Sequence, residues 1–205
     1  LNLRTMINIF EELFGPYPFR DYGILAINED LGYALETQTL SIFGKDLIGV
    51  TEIQAHELAH QWFGNFITLG DWSDIWLNEG LATYAEQLYL EKLDPSYSIN
   101  ESFFDYYYGL SAQGYEFHVK PPPGDAGPSA LFSPSVYIRP AMALHALRLE
   151  IGDALFFQSL RDYVNAFGGK SATSEGFIEI FENNASKDLK LFFQQWLFED
   201  QLPSR

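Results

Sequence analysis

The stretch IQAHELAHQWFGN, residues 53–65, sets the tightest limit on what this chain can fold into. On an α-helix, side chains four positions apart stand one above the other on the same face. His56 and His60 can therefore turn both imidazoles towards one point, with Glu57 beside them. Two neutral imidazoles and a carboxylate able to take a proton from water are what a zinc hydrolase draws on. Ordinary amphipathic helices also carry histidines that cap or line a face. The spacing leaves both readings open, names no third ligand and does not say what kind of peptide would be cut.

The third ligand decides between them, because catalytic zinc usually keeps three protein ligands and one open position. Glu79 lies nineteen residues beyond His60, within WLNEGLATYAE, which reads as a second helix opening near Trp76 or Leu77. Alone, a first-turn carboxylate is explained by the positive end of the helix dipole. Beside HELAH it completes a His56, His60, Glu79 set. The chain has no cysteine, so disulfides and thiolate ligands are excluded and a metal must take His and carboxylate. Glu57 leaves the helix about 100° from the histidine face, which suits a general base and not a ligand.

HELAHQWFGN and WLNEG, with eighteen residues between His60 and Glu79, resemble the gluzincin aminopeptidases, the membrane-alanyl-aminopeptidase and leukotriene-A4-hydrolase family. LFGPYPFRDYGIL near the start and LHALRLEIGDALFFQSLRDYV later are similar to that family's catalytic domain, so the resemblance spans nearly the whole chain. It implies an α+β, thermolysin-like catalytic domain with one Zn²⁺ per chain, lacking the family's amino-terminal β-saddle and carboxy-terminal domains. The chain begins at Leu1 in what reads as a helix entered midway, so a piece of a longer protein is expected.

The resemblance also assigns residues whose chemistry is needed but whose positions spacing does not give. A tetrahedral oxyanion needs a donor besides zinc. The family's tyrosine sits in V-Y-x-K-G-A, which Val136-Tyr137-Ile138-Arg139-Pro140-Ala141 resembles, so Tyr137 is the expected donor, ahead of a helix opening at Pro140. Arg139 for Lys keeps the charge, and Pro140 stands for Gly. An aminopeptidase also needs an anion for the substrate's α-ammonium. The family's edge strand reads G-A/G-M-E-N. Here GYALETQ places Ala34, Leu35 and Glu36 on its central positions, with Tyr33 for Gly and Thr37 for Asn. Glu36 is expected to bind the amine, while the backbone of Ala34–Leu35 pairs with the extended substrate as an added strand. In the family a further residue from the missing amino-terminal domain helps to hold that amine.

The remaining sequence reads as a small sheet with helices (1–93) followed by an all-helical lobe (94–205), divided at Asp94-Pro95. Helices are expected over 2–14, 51–66, 77–93, 97–110, 140–151, 153–167, 174–184 and 188–198, and strands over 22–28 and 31–43. Ser174 and Ser186 are candidate caps. Asn78, Thr83 and Glu86 are each placed to orient an imidazole. His118 and His145 read as structural, and Trp62, Trp72 and Trp76 as packing between the two metal helices. The 120–135 loop, KPPPGDAGPSALFSPS, is not expected to border the cleft.

Formal net charge is −16, which argues against nucleic acid or anionic membrane as the main partner. No run of 18 or more apolar residues appears, so no membrane span is expected. The compartment stays open. The reading is a zinc aminopeptidase acting on peptides with a free amino terminus. The alternatives are a thermolysin-type endopeptidase or a non-catalytic interaction module that keeps the fold. Nothing selects the epoxide-hydrolase activity of one branch.

Overall fold

Met6, Phe10, Leu13 and Phe14 share one stripe of helical spacing. In the computed structural model, which describes residues 2–204, they form the buried face of α1 (Leu3–Phe14). Asn2 caps it by accepting the Thr5 N–H, and Gly15 ends it at φ 101°, a backbone that favours glycine. Three short strands follow: β1 (Gly23–Ile27), β2 (Ala34–Leu35) and β3 (Leu40–Gly44), in the order β1-β3-β2. β1 runs parallel to β3 in the register Gly23↔Leu40 to Ile27↔Gly44, and β2 runs antiparallel to it with Ala34 opposite Phe43.

The single strand expected over 31–43 is thus two strands. They part at the polar run Glu36-Thr37-Gln38-Thr39, where Thr39 takes φ 64° and donates its N–H to Gln61 Oε1 at 2.7 Å. Among the described residues no strand covers the outer side of β2. The helix expected over 51–66 is α2 (Thr51–Ala59), with His60 as its cap, still helical at φ −58° and ψ −20°. Beyond it Gly64 turns the chain at φ 141°.

β4 (Thr68–Leu69) and a 3₁₀ turn (Trp72–Asp74) lead into α3 (Trp76–Leu93). α2 and α3 are buried on most sides, so neither has the one-sided pattern of a surface helix. A π-helical turn (Asn100–Phe104) opens α4 (Asp105–Ala112), and α5 (Pro134–Ile151), α6 (Asp153–Phe167), β5 (Ser171–Ala172), α7 (Ser174–Ala185) and α8 (Lys190–Leu197) complete the order. β4 pairs parallel with β5. One apolar cluster runs from Met6 to Leu197, giving an α+β fold. No helix among the described residues is long and apolar enough to cross a membrane.

Several expectations are corrected here. α5 opens at Pro134, not Pro140, because proline's missing N–H costs nothing in a helix's first turn. Pro140 therefore lies inside the helix and against α3: a Cβ added to Gly80 would sit 2.4 Å from Pro140 Cβ. α7 is capped by Thr173, which accepts the Gly176 N–H, while the Ser174 hydroxyl donates to Asp74 Oδ1 at 2.6 Å. Ser186 ends α7 in the left-handed region at φ 49°. The tryptophans do not join α2 to α3. Trp62 donates to the carbonyls of Gly15 and Pro16 and packs on α1, Trp76 donates to Ser174 Oγ and packs on Phe177, and Trp72 is 62% exposed.

Candidate active site

His56 and His60 stand on adjacent turns with ring centroids 4.7 Å apart, as the four-residue spacing requires. α3 crosses beside them and brings Glu79 from its first turn. Glu79 Oε2 lies 3.3 Å from His56 Nε2 and 3.3 Å from His60 Nε2. All three residues are buried, and their donor atoms lie within 4.8 Å of one another. A tetrahedral ion with ligands at about 2.0–2.1 Å separates its donors by roughly 3.3 Å, so the spacing fits a zinc-sized cation.

The outer nitrogens of both rings are also placed. His60 Nδ1 donates to the Phe63 carbonyl at 3.0 Å. His56 Nδ1 lies 2.6 Å from Glu86 Oε1, which accepts from it. With both Nδ1 atoms acting as donors, each Nε2, once deprotonated, turns its lone pair to the common point, the tautomer that a metal needs. Of the three candidate orienting residues only Glu86 takes this part. The Thr83 hydroxyl is buried without a partner, and Asn78 lies beside Gly64.

Electrostatics tie the cluster together. Burial works against the imidazolium of His56, but hydrogen bonds to Glu79 and Glu86 outweigh it and lift its pKa to about 10. His60 shifts up likewise, with burial opposed mainly by the charge of Glu79. Burial would raise Glu79, yet the His60 charge and the bonds to both rings bring it down to about 2. Without metal the cluster is a proton-filled ion network, and an ion entering it displaces those protons.

Glu57 is buried beside the cluster with Oε2 unpartnered, and burial pushes its carboxyl up against the lowering effect of the two histidines. Tyr137, in the first turn of α5, stacks on His56 with ring centroids 6.0 Å apart. Burial raises its phenol, as do the charges of Glu79 and Glu36, so the hydroxyl stays a donor. Glu36 lies at the end of β2, its carbonyl accepting from Asn65 Nδ2 at 2.6 Å and Gln61 Nε2 at 3.3 Å. Gln61 and Asn65 thus tie the turn after β2 to the segment carrying the histidines. Sequence reasoning missed that link, although both residues lie inside the quoted motif.

A cavity of about 740 Å³ is lined by His56, His60, Glu79, Glu57, Tyr137 and Glu36. Ala34 and Leu35 line it too, so the site residues expected from sequence meet in one cleft. The 120–135 loop also reaches it, through Phe132. Arg139 is fully buried outside the cleft lining, donating to the carbonyls of Val119, Gln195, Glu199 and Gln201. His118 bonds Ser111 and Tyr107, and His145 bonds Tyr84, both away from the metal cluster.

Fold and cluster define the class: an α+β chain with the HExxH arrangement of a metallopeptidase. The chain belongs to peptidase family M1, whose domain matches residues 2–196. It is 27% identical to Aminopeptidase M1 of Arabidopsis thaliana over 96% of this chain and 24% of that protein. With Aminopeptidase N of Lactococcus lactis subsp. lactis it shares 29% identity over 93% of this chain and 23% of that protein. The chain therefore spans about a quarter of the length of these relatives. Among solved structures, a variant of the M1 zinc metallopeptidase from Deinococcus radiodurans, bound to a Tyr-Ser-Ala substrate, is 34% identical. It superposes with a TM-score of 0.86 over 99% of this chain and 45% of that one. Yeast LTA4 hydrolase, at 23% identity, 100% and 35% coverage and a TM-score of 0.81, shares the fold.

Proposed function

We propose that this chain is the catalytic domain of a zinc-dependent aminopeptidase that hydrolyses the amino-terminal bond of peptides, working with flanking domains of the same polypeptide. The two lobes, 1–93 and 94–205, form one peptidase domain in this reading. The observation that carries it is the one cleft whose lining includes the His56–His60–Glu79 cluster together with Glu57, Tyr137 and Glu36. His56, His60 and Glu79 hold the ion, and Glu86 and the Phe63 carbonyl keep both imidazoles in the ligating tautomer. A bound zinc ion polarises the peptide carbonyl and makes water near neutral pH a usable nucleophile.

Glu57 Oε2, unpartnered and buried, takes the proton from the attacking water and hands it to the departing amine nitrogen. Tyr137 donates its hydroxyl hydrogen to the carbonyl oxygen as negative charge builds there. Glu36 receives the substrate's α-ammonium, and the open edge of β2 at Ala34–Leu35 pairs with the extended peptide. An anion in the lining of the same cleft as the cluster holds the substrate by its amino end, which makes the reaction an exopeptidase one.

The test compares a zinc-loaded chain on a free peptide and on its amino-acetylated form. Loss of cleavage on acetylation is expected; undiminished cleavage would point to an endopeptidase. A Glu57→Gln variant should bind one zinc and be inactive, whereas a chain that takes up no zinc would favour the interaction module.

A further inference from the structure

A second cavity of about 360 Å³ adjoins the cleft. It shares Glu36, Glu79 and Phe132 with the main cleft, but among the described residues His56, Glu57 and Tyr137 line only the main one. A substrate held by its amine at Glu36, with its scissile carbonyl at the cluster, carries its first side chain on the carbon between those two points. The second cavity shares Glu36 and Glu79 with those two points, so it lies beside the carbon that carries the first side chain.

The walls of this cavity have a definite chemistry. Leu69, Ile75 and the rings of Trp72 and Phe132 are apolar, three carboxylates (Glu36, Asp71 and Glu79) border it, and no basic residue does. Two of those carboxylates are already committed. Glu79 Oε2 faces both imidazoles, and Glu36 receives the amine. Asp71 remains. Its Oδ1 accepts both the Ser73 N–H and the Ser73 hydroxyl, each at 2.9 Å, which fixes the carboxylate and leaves Oδ2 as an acceptor. Those same bonds hold its pKa below the ordinary range, so it is charged at neutral pH. A third cavity, about 310 Å³, shares Asp71 and Trp72 and adds Asp125, extending the acidic side.

We propose that the second cavity takes the side chain of the substrate's first residue and selects a basic one, lysine or arginine, through Asp71. The selection rests on the aminopeptidase reading above. The alkyl stem of such a residue packs against Leu69, Ile75 and Phe132, as long cationic side chains do on apolar surface. Its cationic head meets Asp71 Oδ2 beside the exposed face of Trp72, where a cation is attracted by the ring. Asp71 is a specificity-determining residue here, apart from the reacting atoms.

Norleucine is lysine without its ammonium, so the ratio of kcat/KM on lysyl and norleucyl p-nitroanilides reads the charge alone. The zinc-loaded chain should favour lysyl by about tenfold or more, as for a hydrogen bond to a charged group, and glutamyl should be slowest. Asp71→Asn should lower the lysyl-to-norleucyl ratio at least about fivefold, and Asp71→Glu should restore part of it. A ratio near one, or a ratio unchanged in Asp71→Asn, overturns the assignment. If none of the three anilides is cut, the aminopeptidase reading fails. Calorimetry with free L-lysine and L-norleucine then decides the cavity separately. Tighter binding of lysine, weakened in Asp71→Asn, supports the site, and equal affinities overturn it.

Discussion

Gly80 stands next to Glu79, the proposed third metal ligand, and under Pro140 of α5, so Gly80→Ala tests how tightly the two helices fix the proposed catalytic geometry. The added Cβ would lie 2.4 Å from Pro140 Cβ and 3.2 Å from its Cγ, whereas ordinary contact begins at 3.4 Å. α3 and α5 must therefore part by about 0.6 Å to clear 3.0 Å and by 1.0 Å to reach ordinary contact at 3.4 Å. Overpacking of this kind costs about 1–3 kcal/mol. Alanine's better helix propensity returns about 1 kcal/mol, so the clash wins by a smaller margin. For a chain of this size that is a fall of a few degrees in Tm. The effect on rate is larger. Tyr137 lies one turn before Pro140 and stacks on His56, and a displacement near 1 Å at a positioned group costs about 10²-fold. The variant should therefore keep its zinc, melt a few degrees lower, and lose about two orders of magnitude in kcat. Wild-type values of both kcat and Tm would refute the idea that the α3–α5 contact positions the tyrosine.

Glu86→Gln removes the charged acceptor of His56 Nδ1 and should weaken zinc binding about 10–100-fold, read by competition with a chelator. Asn65→Ala removes the 2.6 Å bond to the Glu36 carbonyl, so it should raise KM for free peptides more than it lowers kcat. His145 gives a pH effect away from the metal. Burial first, and then the Arg148 charge, bring its pKa down to about 4, below its ordinary value. The unfolded chain takes up this proton first, so the stability contributed by the neutral ring is present above about pH 6.5 and is lost as pH falls towards 4. The loss is on the order of 2 kcal/mol. In the metal-free chain, denaturant melts at pH 7 and 4.5 should show a smaller drop for His145→Gln than for wild type.

Much of the His56–His60–Glu79 cluster is legible in the sequence because helical spacing alone stacks His56 on His60, and Glu79 opens the next helix. α1, α3 and α6 are legible for a related reason, since each ends at a clear glycine, proline or capping signal. What tertiary contact decides is not legible. Glu86 differs from Thr83 only in reaching a ring that another helix carries. Thr39 breaks a strand-like run because Gln61 accepts its N–H across the fold. Two prolines, Pro134 and Pro140, both suit a helix start, and only the first occupies one. Arg139 matches a motif position, yet its guanidinium is spent on four carbonyls from distant segments. The wall of the second cavity, with Phe132 and Asp71 brought together from separate loops, likewise exists only in the fold.

The most direct test of the account is a crystal structure of the zinc-loaded chain with an amino-acid product, phased at the zinc edge. The account places one zinc at about 2.0–2.2 Å from His56 Nε2, His60 Nε2 and a Glu79 oxygen. It places the product's ammonium in hydrogen-bond reach of the Glu36 carboxylate. Zinc bound elsewhere, or a product whose amine points away from Glu36, would contradict it.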